Sequence, residues 1–212
     1  MPQLLRQERA SIQKSRFAPS LSHARSDVLT TNRENTVTLV LGGVRSGKSR
    51  YAQELAERAK RVVFIATATA FDDEMQAKIQ KHRDDRPSHW HTIEEPLEIA
   101  NAIAAHDTSC DCIVVDCLTI FAATLLEHHA EDHEAIAARS AQLCDALLAA
   151  RCDVVLVSNE VGSGVVPSYA LGRRYRDLLG ELNQRVAAVA DNALYFVAGL
   201  PLVLKGRNEM AP

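Results

Sequence analysis

The chain has 212 residues, 47% hydrophobic, 24% charged and 5% aromatic, with a formal net charge of −3; this is the composition of one soluble globular domain with a sizeable core. It excludes collagen-like, disulfide-scaffold and strongly disordered classes. No run approaches the roughly 18 to 20 apolar residues of a membrane-spanning helix, and the mild acidity gives no general reason to expect a nucleic-acid partner.

In chain order, residues 1–35 come first and differ in charge from the rest. They hold six Lys/Arg against Glu8, Asp27 and Glu34, a balance of +3 that leaves −6 for the remainder. The stretch is basic and Ser-rich, faintly like a transit peptide, and lacks the apolar segment of a secretory signal. With no sustained helical or strand period it is expected to be a disordered N-terminal extension, ahead of a nucleotide-binding domain over 36–212.

Val37–Leu41 is the first predicted strand, apolar throughout as a strand buried on both faces should be. It runs into Gly42-Gly43-Val44-Arg45-Ser46-Gly47-Lys48-Ser49, which satisfies G-x-x-x-x-G-K-[ST] between a strand and a helix. The glycines let backbone N–H groups turn inward around phosphate oxygens. The helix N-terminus adds partial positive charge, Lys48 reaches the β/γ-phosphates and Ser49 can hold Mg²⁺. The helix itself is marked by Ala52, Leu55, Ala56 and Ala59 at i, i+3, i+4 and i+7.

A second strand is predicted at Val62–Ala66. Beyond it, Asp72 or Asp73 can cap a helix with an acidic first turn, on which Met75, Ile79 and His82 share one face until Pro87 ends it. His82 thus lies near the helix end beside Arg83 and Arg86. A lone histidine there is either a packed side chain or a nucleophile or base. His89 and His91 flank Trp90 without a readable role.

The next strand, Ile113–Asp116, ends in an acid where a Walker-B carboxylate points at the metal. Five cysteines, Cys110, Cys112, Cys117, Cys144 and Cys152, include no C-x-x-C pair and read as free thiols in a reduced cytoplasm. His128, His129 and His133 offer two imidazoles at i, i+4 but no third ligand. Val154–Val157 is a strand followed by Asn159 and Glu160, at the end where open α/β sheets place ligands. Arg173, Arg174 and Arg176 read as a solvated helix face. Leu171, Tyr175, Leu178, Leu182, Val186 and Val189 form one long apolar stripe. Ala193–Val197 and Leu202–Lys205 close the set, the last as an edge strand. The βαβα order predicts a single α/β domain with a mostly parallel sheet and helices on both faces.

The P-loop alone does not fix the class. A GTPase switch needs N-K-x-D after a late strand, and Ser158-Asn159-Glu160-Val161 lacks the Lys and Asp. A motor or recombinase ATPase would be longer or carry a nucleic-acid surface. A small-molecule kinase or a relative of one remains.

Several blocks occur together and in order: Gly42–Ser49, Ile65-Ala66-Thr67, Asp72–Met75, Ile79 through Pro87 with Trp90, Thr92 and Glu94, Asn159–Gly162 with Val165-Val166-Pro167, and Asn183-Gln184-Arg185. Over about residues 37 to 205 the chain resembles the bifunctional adenosylcobinamide kinase / adenosylcobinamide-phosphate guanylyltransferase family of cobalamin biosynthesis. The resemblance implies a P-loop NTPase (RecA-like) fold and Mg²⁺, with ATP and GTP as substrates. It implies two reactions: phosphorylation of adenosylcobinamide, then GMP transfer from GTP through a guanylyl-histidine, giving adenosylcobinamide-GDP. By the resemblance His82 is the guanylylated residue and Lys48 the phosphate-binding catalytic lysine. Gly42 to Ser49, Ala66, Thr67, Ala68, Arg83, Asp84, Asp85, Arg86, Glu94 and Asp116 are then nucleotide contacts, with Ser49 and Asp116 on the metal. Asp85 stands where some members carry Gly. The implied partners are corrinoid and nucleotide small molecules, with no nucleic acid or membrane, in a cytoplasmic homo-oligomer that the family makes a trimer. Two other readings stay open: a small-molecule kinase with a structural His82, and a non-catalytic nucleotide switch.

Overall fold

The computed structural model describes residues 35–68, 86–129 and 132–208. Within them the chain alternates strand and helix: β1 (Val37–Gly42), α1 (Lys48–Ala56), β2 (Val62–Ala66), β3 (His91–Glu94), α2 (Ile99–His106), β4 (Cys112–Asp116), α3 (Leu118–His129), α4 (His133–Ala149), β5 (Asp153–Asn159), α5 (Ala170–Val189), β6 (Asn192–Val197) and β7 (Leu200–Lys205). The strands form one seven-stranded sheet in the order β3-β2-β4-β5-β1-β6-β7. Every pairing is parallel except the antiparallel β6–β7 hairpin, so the expected mostly parallel α/β domain is what the chain forms.

The strands read as continuous apolar runs because both faces of the sheet are covered. From β1, Val37, Leu39 and Leu41 enter one core with Ile113, Val115, Leu156 and the buried sides of α2 to α5. Val40 enters the opposite core with Phe64, Val114, Val155, Leu194 and the Tyr51, Ala52 and Ala56 face of α1. The period-two geometry of a strand divides these residues between the faces.

Three elements depart from the sequence reading. β3 is a parallel edge strand beside β2, unforeseen because its four residues are largely exposed and show neither an apolar run nor alternation. In α5 the buried positions are Gly172, Leu179, Leu182, Asn183 and Val186. Leu171 instead lies exposed in the first turn of the helix, although eleven residues, about three turns, bring it onto the same side as Leu182. β7 begins at Leu200, two residues early, and its partner-free side suits an edge: Pro201 sits there without breaking a ladder. The β6–β7 turn is the two-residue Ala198-Gly199, both with positive φ (53° and 82°), the geometry that lets a tight hairpin match strand twist. Among the described residues no helix is long and apolar enough to cross a membrane.

Candidate active site

The C-terminal edge of the sheet gathers the sequence-predicted residues. Gly42 ends β1, Ala66 ends β2, Glu94 ends β3, Asp116 ends β4 and Asn159 ends β5. β5 lies between the P-loop strand β1 and the acid-bearing strand β4.

Gly42 to Ser49 forms the cradle. A Cβ at Gly42 would sit 2.5 Å from Ser46 Oγ and 2.7 Å from the Phe196 carbonyl oxygen, so only glycine allows β1 to turn so close to β6. Gly47 has φ +100° and forms the N-cap of α1, a left-handed conformation that costs other residues free energy. Arg45 adopts φ 56°, a strained conformation of the kind that concentrates at functional loops. Beneath the loop, the Gly199 N–H donates to the Ser46 carbonyl, 2.9 Å, so the β6–β7 turn props the cradle from below. That support is invisible in the motif itself. Val44 and Arg45 are exposed at the tip, whereas Ser46 and Lys48 are buried.

Lys48 Nζ donates to the Gly43 carbonyl, 3.0 Å, which holds the ammonium over the loop. Burial pushes its pKa down, while the Asp116 carboxylate, and to a smaller extent Cys117, push it up; burial wins. The Lys–Asp interaction also means that the P-loop and the end of β4 share one electrostatic site.

Asp116 is fixed through its backbone by Thr67. The Thr67 N–H donates to the Asp116 carbonyl, 3.1 Å. Thr67 Oγ1 donates to the Cys117 carbonyl and accepts from the Cys117 N–H, both at 2.8 Å. Thr67 is 0% exposed, so no water replaces it. Thr67→Val keeps the shape and strands both Cys117 groups. Chemical denaturation is expected to show a loss of about 2 to 6 kcal/mol, at about 1 to 3 kcal/mol per orphaned group. Unchanged stability would show that the hydroxyl does not hold this turn.

Ser49 in the first turn of α1 and the Asp116 carboxylate supply hard oxygen donors, the chemistry that suits Mg²⁺. A single strand-end acid with one hydroxyl fits a cation that keeps much of its water and shares phosphate oxygens.

At the other end of the edge, Arg86, Pro87, Ser88, Trp90, Thr92 and Glu94 line a cleft of about 500 Å³. The Arg86 guanidinium lies 3.7 Å over the Phe64 ring, and Trp90 stacks near Phe64 at 6.2 Å and 26°. Trp90 Nε1 is buried without a partner among the described residues. The planar stack was not foreseen as a unit, although Arg86, Trp90 and Glu94 stand in the sequence blocks. Ala66 ends β2, which runs between β3 and β4, and Thr67 follows it onto the Asp116 carbonyl.

Asn159, at the strand end where the sequence analysis placed it, is held by backbone and side-chain hydrogen bonds. Its N–H donates to Thr119 Oγ1, 3.0 Å, and its carbonyl accepts from Asn183 Nδ2, 3.0 Å. Asn183 Oδ1 in turn accepts from the buried Ser158 hydroxyl, 2.7 Å. Glu160 Oε1 instead accepts from the Gly162 N–H, 2.5 Å, which is turn formation. Arg173 donates to the Pro167 and Ser168 carbonyls at 3.0 and 2.8 Å and so braces the loop before α5. His82, Arg83, Asp84 and Asp85, with the proposed cap at Asp72 or Asp73, lie outside the described residues. Among those described, no group of three or more His, Cys, Asp or Glu is placed to hold a metal.

A Gly-rich cradle on β1, an acid on β4 and an intervening strand β5 define a P-loop nucleotide-binding α/β protein. The fold is shared with a Pyrococcus horikoshii OT3 structural-project protein, at a TM-score of 0.51 and 9% identity over 84% of this chain and 89% of that one. The chain belongs to the cobinamide kinase / cobinamide phosphate guanyltransferase family, whose model matches residues 38–204. It is 44% identical over 169 residues to the bifunctional adenosylcobalamin biosynthesis protein CobP of Pseudomonas aeruginosa, covering 79% of this chain and 96% of that one. It is 42% identical over 178 residues to the bifunctional CobU protein of Salmonella typhimurium, covering 79% and 98%.

Proposed function

We propose that this chain phosphorylates adenosylcobinamide and then transfers GMP from GTP to the resulting adenosylcobinamide phosphate, through a guanylyl group carried on His82. The observation that carries the reading is the convergence of Gly42, Ala66, Glu94 and Asp116 on one sheet edge, inside a family match spanning residues 38–204.

In the kinase step the P-loop amides and Lys48 bind the transferring phosphoryl group and counter its charge. Ser49 and Asp116 would hold Mg²⁺, which would supply further neutralisation of phosphate charge. Thr67 keeps Asp116 aimed at that position. In the second reaction the unprotonated nitrogen of His82 attacks the α-phosphorus of GTP. The α–β anhydride bond breaks and pyrophosphate leaves. A phosphate oxygen of adenosylcobinamide phosphate then attacks the same phosphorus, and the P–N bond breaks to free His82. Dividing one transfer into two is what covalent catalysis offers. Arg83 and Arg86 neutralise phosphate charge, for which the guanidinium fork is suited, and Asp84 and Asp85 complete the segment.

Four strand spacings separate β1 from β3, about 19 Å at about 4.8 Å each, which supports a site extended enough for triphosphate and base. Glu94 suits guanine, because a carboxylate accepts from both N–H groups on that base's pairing edge, where adenine presents a bare nitrogen. Glu94→Gln is expected to cost about 10- to 100-fold in kcat/KM for GTP in GMP transfer, the equivalent of one charged hydrogen bond. Equal loss with ATP in the kinase step would contradict that role.

The reading includes a cytoplasmic homo-oligomer, a homotrimer by the family resemblance. Leu200, Leu202 and Leu204 are exposed along edge strand β7, an apolar edge of the kind that oligomers cover. Residues 1–35 lie ahead of the transferase domain, and deleting them is expected to leave both activities intact. Loss of either would assign the extension a catalytic role.

The test is direct: supply adenosylcobinamide with ATP, then add GTP, and follow products by chromatography. The reading predicts adenosylcobinamide phosphate, then adenosylcobinamide-GDP with pyrophosphate. Phosphate product alone would reduce the chain to a kinase, and neither product would leave a nucleotide-binding module.

A further inference from the structure

At the opposite end of the sheet from the P-loop, Cys110 and Cys152 precede β4 and β5. Both are buried, 6% and 3% exposed, and their sulfurs lie 3.8 Å apart. The strands that follow are adjacent: Cys112 pairs with Asp153, and the Asp153 N–H donates to the Asp111 carbonyl, 3.2 Å. Two ion pairs flank the thiols. Arg61 meets Asp111 at 2.6 Å and Arg151 meets Asp107 at 3.0 Å. These two ion pairs and both cysteines line a cleft of about 440 Å³. With each arginine matched by an aspartate, the thiols are the reactive groups in that cleft.

We propose that Cys110 and Cys152 are a modification site, a thiol pair that closes to an intrachain disulfide when hydrogen peroxide enters the cleft. A disulfide sets its sulfurs about 2.05 Å apart, so the pair must close by about 1.8 Å. Neither cysteine belongs to a helix or strand, which leaves side-chain rotation and small loop shifts to supply that movement. Cys110 is the first to react: its contact with Cys152 and the nearby Arg61 hold its thiol low against burial. The same contact and burial push Cys152 up.

The Cys110 thiolate attacks a peroxide oxygen, the O–O bond breaks, and the departing hydroxide takes a proton to become water. The Cys152 sulfur then attacks the sulfenic sulfur. The S–S bond forms, the S–O bond breaks, and a second water leaves with the thiol proton. Two thiols are oxidised by two electrons, and one peroxide is reduced to two waters. The bond joins residues 42 apart in sequence and ties together the N-terminal ends of the strands that carry Asp116 and Asn159 at their other ends.

The full chain, treated with limiting hydrogen peroxide, is denatured, alkylated with N-ethylmaleimide and analysed by intact mass and non-reducing peptide mapping. The proposal predicts three alkylated cysteines of the five in the chain and a cross-linked Cys110–Cys152 peptide. The unfolding midpoint should rise by about 8 to 16 °C, as for a loop of this length in a chain of this size. Dithiothreitol should reverse both changes, and Cys152→Ser should show neither. Five alkylated cysteines, a higher oxide on Cys110 with Cys152 still alkylated, or a bridge between other cysteines would each overturn the assignment. Mapping of the wild-type chain decides the matter even where the variant does not fold.

Discussion

Lys48→Ala is expected to lower kcat/KM for phosphoryl transfer by about 10²- to 10³-fold, the cost of removing one placed charge from a transferring group. The fold should survive. The Lys48 ammonium donates to the Gly43 carbonyl, and burial already disfavours its charge, so loss of the side chain removes a cost along with a contact. Denaturation midpoints near wild type together with the kinetic loss would place the effect in catalysis. A collapsed midpoint would place it in the loop. The pH dependence follows from the same burial. The ammonium of free enzyme titrates below the ordinary lysine value of about 10.4, and bound phosphates raise it again. The alkaline limb of kcat/KM, which reports the free enzyme, should therefore fall at lower pH than that of kcat. For stability the sign runs the other way. Between the lowered pKa and about 10.4 the unfolded chain holds a proton that the folded chain has lost, so this group's contribution to stability rises with pH across that window.

His82→Ala is expected to lower GMP transfer by roughly 10⁴- to 10⁶-fold, as removal of a covalent nucleophile does, while adenosylcobinamide is still phosphorylated at the wild-type rate. The split arises because phosphoryl transfer to a hydroxyl needs the P-loop, Lys48 and the Asp116 region but no histidine. Initial rates of the two reactions, measured separately on the same variant, give the comparison. Equal loss of both would mean that His82 shapes the whole site, and retention of both would remove it from the chemistry.

Much of this account was legible in the residues, for physical reasons that differ by element. The buried strands announce themselves because Val37–Leu41, Val62–Ala66 and Val154–Val157 must be apolar on both faces to be covered on both faces. The P-loop is legible because its glycines answer local backbone demands: at Gly42 a Cβ would strike Ser46 and Phe196, and at Gly47 φ is +100°. β3 was not legible, since an exposed four-residue edge strand owes its pairing to β2 rather than to its own pattern. Nor was the role of Thr67, whose hydroxyl meets Cys117 fifty residues on, or the prop that Gly199 places under Ser46. The stack of Arg86 and Trp90 around Phe64 likewise joins residues from separate segments. Contacts of that range depend on the order of strands in the sheet, which no local period encodes.

The central claim is a covalent guanylyl group on His82, and it is tested by incubating the full chain with [α-³²P]GTP and Mg²⁺, denaturing, and measuring protein-bound label. The account predicts acid-labile, base-stable label on the wild-type chain, as a P–N bond requires, and none on His82→Ala. An active wild-type chain without label, or label persisting on His82→Ala, would contradict it.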